Sequence, residues 1–139
     1  MRGSIIRMYF RIPLYIIFLT FFSCSPSENL YQDLPIECNE CVFVPERFEN
    51  NDGGGCGYKD YKENLNAEFV IRNLKKLDWH VIHEADWGAT PYVDFYITKG
   101  EKFILSESFW FYKGNVVIYH HATKNYYSCG CDEFDFMFE

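Results

Sequence analysis

The chain lacks an uncharged apolar run long enough to cross a bilayer. Its longest, 12–22, is about half of the roughly 20 residues a spanning helix needs, and Pro13 blocks its extension backwards. Basic residues are scarce, 13 against 20 acidic ones, and Arg2, Arg7 and Arg11 all precede Cys24, where no acidic residue occurs. After Cys24, ten basic side chains therefore face twenty acidic ones. Such a surface repels phosphate backbones and anionic headgroups, which argues against nucleic acid as a partner. The glycine run 53–57 closes on Cys56-Gly57-Tyr58 and lacks the Gly-Lys-Ser/Thr ending of a phosphate-cradling loop. Ser106, Ser108 and Ser128 lack the Gly-x-Ser-x-Gly elbow that exposes a nucleophile. The acidic tail lacks the spacing of a calcium loop, and no internal repeat is visible.

What is present first is an address. Three arginines, an apolar run and a small residue before Cys24 follow the order of a secretory signal peptide. Phe21-Phe22-Ser23-Cys24 resembles the lipobox of a bacterial lipoprotein precursor, with Ser23 in the small position and Phe21 where that family has an aliphatic residue. The resemblance covers only the first two dozen residues. It implies cleavage before Cys24, a lipid such as palmitate on its sulfur, and a membrane-anchored protein of the cell envelope, at the periplasmic face or outer surface. More than one acyl chain is implied too, and several chains hold a protein where one holds it marginally. The organisation expected is a signal peptide over 1–23, a lipid-anchored linker over 24–36 and one domain over 37–139. Ser25-Pro26-Ser27-Glu28-Asn29 has linker composition, and the remaining length suits a single domain.

Within that domain the spacing of Ala67, Val70, Ile71, Leu74 and Leu77 predicts one amphipathic helix over about 61–77, with Asp60 and Glu63 as a capping box. Runs rich in β-branched and aromatic residues at 79–85, 92–98, 103–112 and 116–121 predict antiparallel strands. Val42-Phe43-Val44 reads as a further short run ended by Pro45, and the alternating tail 132–138 as an edge strand. The fold class expected is α+β, a helix packed on a four- to five-stranded antiparallel meander. In the third run Phe103, Leu105, Phe109 and Phe111 share one face, with Glu107 the misfit among them.

Five cysteines remain after Cys24: Cys38, Cys41, Cys56, Cys129 and Cys131. An exported domain uses such clusters as disulfide staples, and an odd number leaves at least one unpaired. If Cys24 carries no lipid, six could close as three bridges. A bridge from an early cysteine to the tail would close about 75 to 90 residues, worth on the order of 4 to 5 kcal/mol. The alternatives are a zinc site of four thiolates and a redox pair at Cys38 and Cys41, the latter disfavoured by the β-like run that follows Cys41. His80 and His83, three apart on a strand, point to opposite faces and cannot share an ion. Glu84, Asp86, Asp94 and Glu107 are the carboxylates that acid/base chemistry would draw on; burial would raise Glu107 most.

Aromatic residues make up 20% of the chain, more than a core alone accounts for. With Phe95, Phe109 and Phe111 turned inward, Tyr92, Tyr96, Trp110, Tyr112 and Tyr119 fall on the other face, an interface-like composition. A second layer, built from the N-terminal segment or the tail, would cover it. The function expected is a lipid-anchored extracytoplasmic binding module without catalysis, metal or cofactor, its ligand a protein or carbohydrate. An immunity or inhibitor role is one version; a small envelope enzyme or a zinc-binding structural domain is the alternative.

Overall fold

Alternation in the sequence becomes a single antiparallel sheet in the computed structural model, which describes residues 27–83 and 92–139. The leader, Cys24, Glu84, Asp86 and the expected connection up to Pro91 lie outside the described residues. In chain order the elements are β1 Cys41–Phe48, α1 Ala67–Leu74, β2 His80–Ile82, β3 Tyr92–Lys99, β4 Lys102–Tyr112, β5 Asn115–His120 and β6 Asn125–Gly130. A 3-10 turn, Cys131–Phe134, follows. The spatial order is β1-β3-β4-β5-β6-β2, every pairing antiparallel. Of the expected meander, the runs at 92–98, 103–112 and 116–121 pair in chain order as β3, β4 and β5, but β6 falls outside every expected run and the run at 79–85 contributes β2, which does not join β3. β2 lies beside β6 at the far edge, whereas β3 pairs with β1.

Four local expectations change, each for a physical reason. The helix is shorter than 61–77: its cap is Asn66, whose side chain accepts from the Phe69 N–H at 2.8 Å, and Asp60 bonds the Tyr61 N–H instead. β1 runs past Pro45 to Phe48, because an edge strand with a bulge between Pro45 and Arg47 tolerates the missing N–H. A second bulge, with Ile104 the extra residue on β4 opposite the Ile97–Thr98 step of β3, puts Phe103 opposite Thr98 and so on the outer face. Phe103 is accordingly exposed, with its ring against Tyr96. The tail does not form an edge strand over 132–138; it turns, and Phe134, Met137 and Phe138 bury at helical spacing. Asn125–Gly130 forms the last strand instead.

One face of the sheet carries the core. Phe43, Val93, Phe95, Ile97, Phe109, Phe111, Val116, Ile118, Tyr127 and Cys129 point inward and are covered by α1, Trp79 and the tail. Ala67, Val70, Ile71 and Leu74 supply the apolar stripe of α1. Glu28 to Leu34, inside the stretch expected as linker, also docks here. Glu28 and Trp79 exchange backbone hydrogen bonds at 2.8 and 2.9 Å, and Tyr31 is buried edge-on against Trp79.

Two disulfides close, Cys38 with Cys41 and Cys56 with Cys131, the second spanning 75 residues. Cys129 is free and buried. Its thiol donates to Glu133 Oε2 at 2.5 Å, and burial together with that carboxylate pushes its pKa up.

Candidate ligand-binding face

Strand register decides which outward side chains meet. Tyr92 stands opposite Trp110, Trp110 opposite Val117, Val117 opposite Ser128, and Ser128 opposite His80. One row thus crosses five strands on the face away from the core. Tyr112 lies in the next row, opposite Asn115. Of the five aromatics expected on this face, register brings Tyr92 and Trp110 together with Tyr112 nearby. Tyr119 lies apart, its ring 5.0 Å from Tyr126, and Tyr96 is towards the other end, 5.3 Å from Phe103. All five are half-buried. Polar groups separate the clusters: Ser108 donates to Asp94 Oδ1 at 2.5 Å, and the Arg47 guanidinium sits 4.4 Å above the Tyr92 ring while pairing with Glu49.

Beside this row lies a hollow of about 310 Å³. Val117, 1% exposed, lies along it with Ile82 and Tyr112 as apolar lining, and His83, Lys113, Asn115 and Ser128 add polar groups. Its edge is a two-residue hairpin turn, Lys113 and Gly114 both having positive φ (49° and 77°), which matches the twist of the flanking strands. The glycine run explains why that turn is firm. Gly54 is packed so tightly on β4 that a side chain would come within 2.6 Å of the Phe111 backbone, and its carbonyl accepts from the Gly114 N–H at 2.7 Å. Gly114 in turn accepts from the Cys131 N–H at 3.3 Å, and the Cys56–Cys131 bridge closes the clasp.

Of the carboxylates in the alternative readings, Glu84 and Asp86 lie outside the described residues. Asp94 and Glu107 lie on opposite faces, since Asp94 pairs with Ser108 while Glu107 pairs with the core residue Phe95. Burial alone pushes the Glu107 carboxyl up to about 8. Tyr31 lies in the field of both Glu107 and Cys129, and burial first, then those two groups, raises its hydroxyl. Three of the four sulfurs of the expected zinc set, Cys38, Cys41 and Cys131, are in disulfides, and no cluster of metal-binding side chains occurs among the described residues. His80 lies on the outward row, whereas His83 follows the end of β2.

No family model, curated protein or solved structure matches this chain.

Sequence reasoning found the rings but missed Val117, Ser128, Ile82 and Lys113, since only cross-strand register places them side by side. The one available signal was Lys113-Gly114-Asn115, legible as a turn and not as the edge of a hollow.

Proposed function

We propose that the protein is a lipid-anchored extracytoplasmic binding module without catalysis, its aromatic and acidic face receiving a protein or carbohydrate ligand. The observation that carries this reading is where the spare segments go. The N-terminal segment and the tail, the two candidates for a second layer, both pack on the core face: Tyr31 against Trp79, Phe134 against Phe109, Phe138 against Phe111. Among the described residues these ring contacts lie on the core face, away from Tyr92 and Trp110. Half-buried tyrosine and tryptophan set among serine and carboxylate suit a binding surface, because each ring offers an apolar body and a polar edge.

The cysteines support the anchor. Among the described residues four close two bridges and the fifth, Cys129, is buried with its thiol on Glu133. An immunity- or inhibitor-like role is a concrete version that suits an acidic surface.

Intact mass of the mature protein tests the anchor. A species beginning at Cys24, heavier by the mass of several acyl chains and lighter by four hydrogens for two bridges, is expected; an unprocessed or unacylated chain would sink it. Screening immobilised glycans and envelope proteins against the wild type and Trp110→Ala tests the face: a ligand retained by the wild type and lost by the variant is expected. A ligand lost only by changes elsewhere would move the site.

A further inference from the structure

We infer that the free edge of β1, with the hollow beside it, binds a short extended segment of a basic partner protein, one arginine or lysine side chain entering the hollow. This site is separate from the outer aromatic face and stands or falls apart from the reading of that face.

The edge supplies a backbone. In the described sheet β1 has β3 on one side and ends the sheet on the other. Apart from its ladder with β3, its backbone makes two hydrogen bonds among the described residues. The Cys41 N–H donates to the Cys38 carbonyl at 3.4 Å, and the Arg47 carbonyl accepts from the Tyr61 hydroxyl at 3.3 Å. The other outward N–H and C=O groups form a row on which a further strand pairs. Pro45 has no N–H and the bulge after it bends the strand, so the row is short and takes a segment of a few residues.

The hollow supplies selectivity. It measures about 410 Å³ and lies between β1 and 60–65, both within the unbroken described stretch 27–83. Alternate side chains of an added strand point to the core-face side, as Phe43 and Phe48 do, and so towards this hollow. Pro45 is exposed and Phe48 and Leu65 are half-buried, which leaves apolar surface for the stem of a long side chain. The Tyr61 ring meets Phe43 at 6.1 Å and Phe48 at 5.6 Å, so the wall is formed before a ligand arrives. Glu46, Asp60 and Glu63 border the hollow, with Lys62 as the cation among them. Burial raises the Tyr61 hydroxyl most, and the carboxylates of Asp94, Asp60 and Glu46 raise it further, which marks a negative field at the wall itself. An apolar stem with a cationic head is the chemistry of lysine and arginine, and the planar head of arginine also stacks on rings. A second copy of this chain, with twice as many acidic as basic side chains after Cys24, would set like charges against these three carboxylates.

The test is an NMR titration of the full chain with the end-blocked peptide Thr-Val-Thr-Arg-Thr-Val-Thr, beside its lysine, citrulline and glutamate versions and free arginine amide. Saturable shifts at Glu46, Tyr61 and Leu65, together with slowed amide exchange in β1, are expected with the arginine or the lysine peptide. The citrulline and glutamate peptides are expected to bind about tenfold more weakly or worse, the equivalent of one charge-assisted contact. Alternate N–H groups of an added strand face β1, so of two peptides N-methylated on alternate residues one is expected to lose binding and the other to keep it. Glu46 and Glu63 are exposed, and Glu46→Gln and Glu63→Gln are each expected to weaken the arginine peptide about threefold, whereas Lys62→Gln is expected to tighten it. No saturable shift at about 1 mM peptide, equal binding of the arginine and citrulline peptides, free arginine amide binding as tightly as the peptide, or three variants without effect would overturn the inference. Self-association of the chain through β1 would overturn it in favour of a second copy. Shifts confined to Tyr92 and Trp110 would move the peptide to the outer face, so that this inference falls and the wider reading gains.

Discussion

On the core face Phe95, Phe109, Phe111, Phe134 and Phe138 meet edge-on, tilted or, for Phe134 and Phe138, stacked, in one continuous cluster with Trp79 and Tyr61. On the opposite face the rings come as separate groups, Tyr92 beside Trp110, Tyr96 against Phe103, Tyr119 against Tyr126, spaced by Ser106, Ser108 and Asp94. The same residue types thus serve two ends. Continuity buries the core rings and stabilises the sheet, whereas the outer rings stay half-buried and spaced by polar side chains, which is why we propose them for a ligand.

Truncating one ring on each side sharpens this contrast most. Phe109→Ala is expected to cost about 3–5 kcal/mol in urea unfolding and Trp110→Ala less than about 1 kcal/mol. A Trp110 variant as damaged as the Phe109 one would make the outer face a second core. Next comes the clasp. Replacing Cys56 and Cys131 together by serine is expected to cost about 4 kcal/mol through the 75-residue loop, against about 2 kcal/mol or less for Cys38 and Cys41, measured by thermal unfolding without reductant.

Glu107 is the polar exception on the core side, and pH probes it. Its carboxyl is held up to about 8 in the folded protein against an ordinary 4.5, so between those values the folded chain keeps a proton that the unfolded chain releases. Stability is therefore full below 4.5 and declines as pH rises towards 8. Glu107→Gln is expected to flatten that decline and to gain on the order of 3 kcal/mol at pH 8; an unchanged pH profile would place the carboxyl in water. The smallest effect belongs to the helix: Asn66→Ala is expected to cost about 1 kcal/mol, and a comparable loss from Asp60→Ala would restore the longer helix.

Strands β3, β4 and β5 were legible because alternation and two glycine turns mark them, and Glu107 announced itself as an acid in an apolar register. What the sequence could not disclose has three physical sources. A bulge reverses the facing of every residue beyond it, so Phe103 reads as core and lies outside. Alternation of acidic and apolar residues over 132–138 fits a strand as well as a turn, and only the space beside Phe109 and Phe111 decides for the turn. Pairing of β2 with β6 depends on contacts between segments more than forty residues apart, for which local patterns carry no information. The hollow inherits that limit, since its lining comes from β2, β4, β5 and β6.

The docking of Glu28 on Trp79 bears on reach. Only four peptide steps separate Cys24 from Glu28, and a fully stretched chain gains about 3.5 Å per residue, so a fatty acid on that sulfur would hold the first packed strand partner within about 14 Å of the bilayer surface. A leash that short would keep the β2 edge close to the membrane and set which way the sheet turns from it.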